Sequence, residues 1–172
     1  MELKSCNIVS EYKTVFNEDG SIKFVKKEDE ERGKKSKRSG GQFELRVRKD
    51  LEEKGWIVDK WSNNVDLENG KIIPVKRVFK KFKAKEEIRT VGTIGTGFPD
   101  FIAFQLMNDK KYKIIGVEVK INGLLGRIEK EKCKWYLENK IFSEILVARK
   151  LKEKNRVRVE YNNVSEILKR MR

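Results

Sequence analysis

The sequence contains no histidine, which removes the commonest general base and the commonest nitrogen ligand for zinc. Its two cysteines, Cys6 and Cys133, lie far apart with no second cysteine near either, so zinc sites of the usual sulfur and imidazole kind are excluded. Any metal would have to be held by oxygen. That points to magnesium, with manganese as a substitute, on carboxylates. No apolar run approaches the roughly 18 to 20 residues of a membrane span. The opening stretch MELKSCNIVS lacks a basic region followed by an apolar signal core. These absences predict a soluble, intracellular, cytoplasmic protein with no membrane partner. Proline is almost missing too, occurring only as Pro74 and Pro99.

What is abundant is charge. Lysine and arginine outnumber aspartate and glutamate by 41 to 27, a net charge of +14, and a surplus of that size favours a polyanionic partner such as nucleic acid or an anionic surface. At 172 residues the chain is long enough for one domain with a real core and a small appendage.

Two β-branched and aromatic stretches flank Asn17-Glu18-Asp19-Gly20 and predict an N-terminal hairpin. The following EDEERGKKSKRSGG has no apolar residue and reads as a linker or mobile loop, which places a boundary near residue 38. In GQFELRVRKDLEEKGW, Phe43, Val47 and Leu51 recur at spacing four and Gly55 stands where a helix would stop, so a helix is predicted from about Gln42 to Lys54. WIVDKWS reads as a strand. The region from Asn63 to Thr93, punctuated by Gly70 and Pro74, ends in a basic strand pair. DFIAFQLMNDKKYKIIGVEVKI is an antiparallel hairpin turning at Asn108-Asp109-Lys110. After it come a helix with Ile128, Trp135 and Leu137 among its apolar positions, two strands, and a terminal helix capped by Asn163 or Ser165. The expected class is α/β, a central mixed sheet flanked by helices, preceded by the N-terminal β-hairpin.

Pro99 matters because a residue without an N–H donor is tolerated at the first position of a strand and rarely deeper. It marks the strand entrance and puts Asp100 at its lip. In IIGVEVKI, Glu118 and Lys120 project from one face while Val117, Val119 and Ile121 take the other. Glu-x-Lys also occurs at Glu11, Glu52 and Glu138, but only the Glu118 copy lies in a buried run. An ion pair at spacing two within a strand is poorly placed compared with a cross-strand neighbour. If the hairpin turns around Asp109, partners have numbers summing to about 218, and Asp100 falls opposite Glu118. Two carboxylates so placed raise each other's pKa unless a cation lies between them.

Gly97-Phe98-Pro99-Asp100 followed across a hairpin by Glu118-Val119-Lys120 resembles the PD-(D/E)xK nuclease superfamily, over about Gly40 to Lys150. Within it the chain is similar to archaeal Holliday junction resolvases and to virus-type replication-repair nucleases. Where the latter often carry glutamine on the next helix, this sequence has Lys132. The resemblance implies a restriction-endonuclease-like core of helix, three strands, helix and strand, and Mg2+-dependent hydrolysis of DNA phosphodiesters, structure-specific on branched or double-stranded DNA. It implies Asp100, Glu118 and the Val119 carbonyl as metal ligands. Lys120, desolvated beside that cation, would have a depressed pKa and either orient the attacking water or stabilise developing charge. Glu44 stands where many members have a further metal-associated glutamate and would serve a second metal or a water-mediated contact; the alternative is a carboxylate near a helix N-terminus complementing the dipole.

For DNA binding, Lys76, Arg77, Lys80, Lys81, Lys83 and Lys85 form one basic cluster and Arg46, Arg48 and Lys49 another. Trp56 and Trp61 read as core aromatics, and Cys133 as a small buried residue. Val15, Phe16, Ile22 and Phe24 on the N-terminal hairpin would suit a symmetric homodimer contact or cover the domain's own sheet. Two other readings remain: a basic nucleic-acid-binding protein without catalysis, and a nuclease for flaps, ends or a fixed sequence.

Overall fold

The computed structural model describes residues 11–16, 21–75, 77–84, 87–94, 97–108, 110–154 and 156–169, with backbone alone for 16, 77–84 and 87–94. The chain divides into two compact units, Met1–Gln42 and Phe43–Arg172.

In the first unit β1 (Tyr12–Phe16) pairs antiparallel with β2 (Ile22–Lys26), as the flanking β-branched stretches predict. The turn from Asn17 to Gly20 and the side chain of Phe16 lie outside the described residues. Val15, Ile22 and Phe24 are exposed. The segment predicted as a linker is helical instead: α1 runs from Lys27 to Glu53. Glu28, Asp29 and Glu30 occupy its first turn, where negative charge complements the helix dipole. Arg32 then pairs with Asp29, and Lys34 with Glu30 at 2.7 Å, so the charge run that suggested a solvated loop supports the helix through neighbours three and four apart. Gly33, Gly40 and Gly41 each cost about 1 kcal/mol relative to alanine in a helix, too little to break it.

In the second unit, Phe43, Val47 and Leu51 are buried along one stripe of α1, as their spacing predicts. The helix stops at Gly55, φ +84°, where Gly55 N–H donates to the Glu52 carbonyl at 2.9 Å and Trp56 N–H to the Leu51 carbonyl at 3.1 Å. This is a Schellman closure, and it needs a residue that accepts a left-handed conformation. β3 (Ile57–Lys60) follows, then two hairpins, β4 (Asn63–Asp66) with β5 (Lys71–Pro74) and β6 (Arg77–Ala84) with β7 (Glu87–Ile94). β8 (Phe101–Leu106), β9 (Tyr112–Val119), α2 (Arg127–Glu138), β10 (Glu144–Glu153), β11 (Arg156–Asn163) and α3 (Val164–Lys169) complete the described elements. The Asn163 side chain caps α3 by accepting from Ser165 N–H at 2.9 Å.

Five strands form one mixed sheet in the order β11-β10-β9-β8-β3. Only β9 and β10 run parallel, which requires the crossover that α2 provides. The α/β class is therefore as expected. Alternation sorts the core: Val58, Phe101, Ala103, Ile115, Val117 and Ala148 meet the α1 stripe, while Ile145 and Val147 meet Cys133 and Tyr136 of α2 and Val164 of α3. On α2, Cys133 is buried as expected. Tyr136 is buried with it, and Ile128 is 62% exposed because it lies off the stripe that meets the sheet. Among the described residues no helix is long and apolar enough to cross a membrane.

Candidate functional site

The site begins with a close approach of two backbones. Phe98 N–H donates to the Asn63 carbonyl at 2.9 Å and Trp61 N–H to the Asp100 carbonyl at 3.2 Å, so residues 97–100 run beside 61–63 before β8 starts. A Cβ on Gly97 would overlap the Trp61 carbonyl, which is main chain and has no rotamer by which to move away. Pro99, after a cis peptide bond, is buried with its ring over Gly116 of β9, where a side chain would not fit. A donorless residue is thus accommodated before the ladder begins.

From there the register is fixed. Phe101 pairs with Val117 and Leu106 with Tyr112, numbers that sum to 218, so Asp100 and Glu118 stand opposite one another one step past the last pair. Parity turns both toward the α2 face of the sheet. The Glu118 carboxylate accepts from Asp100 N–H at 3.2 Å, and the Asp100 carboxylate accepts from Val119 N–H at 2.9 Å. Each acid is held by the backbone of the other strand.

Lys120 lies just past the end of β9. Freed from strand geometry, it does pair with Glu118, at 3.1 Å, contrary to the expectation from spacing two, and it also reaches Glu129 of α2 at 2.6 Å. The other Glu129 oxygen accepts from Gly126 N–H at 2.7 Å, the returning half of a capping box. Glu129 thereby ties the lysine to the start of α2.

Burial pushes the Glu118 carboxyl up to about 7, with the nearby Asp100 charge adding to the rise and Lys120 opposing it. Asp100 also rises, mainly through burial and partly through Glu44, against the hydrogen bond from Val119 N–H. Lys120 departs from expectation. Burial alone lowers an ammonium pKa, but its bonds to Glu129 and Glu118 outweigh that and leave it raised. Burial would likewise raise Glu129, yet Lys120 and Gly126 N–H hold it low.

Glu44 sits well inside α1, which begins at Lys27, so contrary to that alternative it is not a carboxylate at a helix N-terminus. Its carboxylate pairs with Lys60 of β3 at 2.6 Å. Glu44, Asp100, Glu118, Val119, Lys120 and Glu129 all line one open pocket of about 340 Å³, together with Asn64, Gly97, Phe98 and Lys132. The Lys132 ammonium lies 5.6 Å from the Phe98 ring centre. Lys60 and Glu129 were not singled out from sequence. Glu129 left a local trace, a glutamate three residues after the glycine opening a helix; Lys60 left none, because it reaches the site through the long-range pairing of β3 with β8.

The basic candidates fall into two groups. Arg46 donates to the Val157 carbonyl at 2.8 Å, Arg48 to the Val58 carbonyl at 3.0 Å and to Glu52, and Lys49 pairs with Glu53 at 3.7 Å. Lys76 and Lys85, and the side chains of Arg77, Lys80, Lys81 and Lys83, lie outside the described residues. Trp56 and Trp61 pack against the two core clusters, Trp61 edge-on to Phe142 at 5.3 Å. Cys133 is fully buried, and burial pushes its thiol up to about 12.

The donor set is oxygen, and two carboxylates with a backbone carbonyl suit magnesium, which keeps several waters and uses one or two carboxylates. Among the described residues no three acidic or cysteine side chains converge on a single point. Compared with family models, curated proteins and solved structures, this chain matches none.

Proposed function

We propose that the protein is a metal-dependent deoxyribonuclease of the PD-(D/E)xK type, acting on branched or double-stranded DNA. The observation that carries this reading is the reciprocal clasp of Asp100 and Glu118 at a sheet end, with Lys120 beside them in an open pocket. The order α1, β3, β8, β9, α2, β10, an antiparallel three-strand run followed by a crossover to a parallel strand, supports it as the restriction-endonuclease-like core.

Asp100, Glu118 and the Val119 carbonyl would hold magnesium or manganese. The raised carboxyl pKa values support this, since a buried pair of acids is disfavoured when charged unless positive charge joins it. A bound divalent ion supplies charge that polarises a scissile phosphate and acidifies water. The chain's own residues do the rest. Glu129 and Glu118 hold the Lys120 ammonium at the pocket wall, where it stabilises negative charge developing on the phosphate. The protonated state of Lys120 favours that role over proton abstraction. The net charge of +14 draws the polyanion to the surface. A symmetric homodimer through the exposed β1–β2 hairpin belongs to the junction-resolving form of this reading.

The test is incubation of purified protein with four-way junction, flap, linear and single-stranded DNA, with and without magnesium or manganese. Metal-dependent cleavage supports the enzyme. Binding that is indifferent to metal, with no cleavage of any substrate, leaves a basic DNA-binding protein.

A further inference from the structure

We propose that Lys60 makes this a one-ion site by standing at Glu44 where a second divalent cation would otherwise bind. The inference rests on the metal-dependent reading above and deepens it. Four carboxylates line the pocket, but they are not equivalent: Glu129 is already held by the Lys120 ammonium and Gly126 N–H. Asp100 and Glu118 are clasped to each other's backbone, whereas Glu44 takes no part in the clasp and carries a cation of its own, the Lys60 ammonium at 2.6 Å.

That ammonium is placed by more than its partner. Lys60 pairs in register with Phe101, the residue after Asp100, and its Nζ lies 4.6 Å from the Phe101 ring centre. Backbone register, ring face and Glu44 together fix a positive charge close enough to Asp100 to oppose the rise of its carboxyl pKa. Both side chains are substantially open, 53% for Lys60 and 35% for Glu44, and so exposed a pair adds little to folding stability. Its effect falls on the pocket. A second hydrated divalent ion would have to displace the ammonium or sit beside it, and like charges at that separation repel strongly when partly shielded from water. With Glu44 neutralised, a single ion at Asp100 and Glu118 completes the charge balance.

The test counts ions by the paramagnetic resonance of free manganese, titrated into the full chain without nucleic acid. The Asp100→Asn, Glu118→Gln double variant supplies the background from scattered surface carboxylates. Wild type is expected to take up one ion above that background, Lys60→Met two, and Lys60→Arg, which keeps the charge, one. Two ions in wild type, or an unchanged count in Lys60→Met, would overturn the role of Lys60 and leave the nuclease reading standing. No ion above background in wild type overturns both. The wild-type count involves no change at Lys60, so two ions there overturn its role even if Lys60→Met fails to fold.

Discussion

Asp100 and Glu118 hold each other's strands: the Glu118 carboxylate accepts from Asp100 N–H at 3.2 Å, and the Asp100 carboxylate accepts from Val119 N–H at 2.9 Å. The β8–β9 ladder has ended one pair earlier, at Phe101 and Val117. The two acids therefore replace main-chain carbonyls as acceptors for N–H groups past the ladder's end. Their side chains are fixed in the pocket before anything binds there, which is the preorganisation an electrostatic site needs.

The first expectation concerns those acids. Asp100→Asn and Glu118→Gln, which preserve shape and remove charge, should each lower magnesium-dependent cleavage by at least about 100-fold, the scale of losing ion-assisted charge stabilisation. DNA affinity measured in calcium should change by less than about threefold. Retained cleavage by both variants would defeat the assignment.

Glu118 also predicts how stability depends on pH without metal. Its folded carboxyl titrates near 7 against an ordinary value of 4.5, so between those limits the folded state binds the proton more tightly than the unfolded chain. The contribution of Glu118 to stability is greatest below about 4.5 and is lost as pH rises through 7. Glu118→Gln should then stabilise the chelator-treated protein by on the order of 2 kcal/mol at pH 8 and by little at pH 4.5. Thermal melts at both pH values check this; equal shifts at both would show that Glu118 does not titrate as described.

Lys120 and the basic hairpin separate catalysis from binding. Lys120→Ala should reduce turnover by about 100-fold with affinity nearly unchanged, because its ammonium faces the pocket between Glu118 and Glu129. Lys80→Ala should weaken binding and flatten its salt dependence, since a phosphate contact contributes through counterion release. Filter binding across a salt series, beside single-turnover cleavage, distinguishes the two; similar profiles for both variants would count against this division.

Gly97→Ala should be among the most damaging single-methyl additions in the chain. The new Cβ meets the Trp61 and Asn63 main chain, so residues 97–100 would have to move off 61–63 and carry Asp100 with them. A loss of about 3 kcal/mol or more is expected, at the upper end for overpacking. A denaturant midpoint close to wild type would show that the strand approach is looser than described.

Parts of this architecture were legible because they are local. Phe43, Val47 and Leu51 mark a helical stripe, Gly55 its stop, and the turn near Asp109 sets the hairpin register that brings Asp100 opposite Glu118. The start of α1 was not legible: a charged, glycine-containing segment with no apolar face looks like a linker, and its helical support comes from pairs such as Glu30 with Lys34. On α2 the burial of Cys133 was legible, whereas the burial of Tyr136 and the exposure of the apolar Ile128 follow from how the helix meets the sheet.

The sequence by itself determined the chemical alphabet of the site, an oxygen donor set without histidine in a strongly basic chain, and the parity that aims Asp100 and Glu118 at one face. Only the tertiary structure decided which lysine answers which acid. Lys60 meets Glu44 because β3 joins β8, and Lys120 meets Glu129 because α2 returns over the sheet. The physical reason is that one turn and side-chain alternation carry register along a single hairpin, whereas these ion pairs depend on how separate elements pack, β3 against β8 and α2 across the sheet.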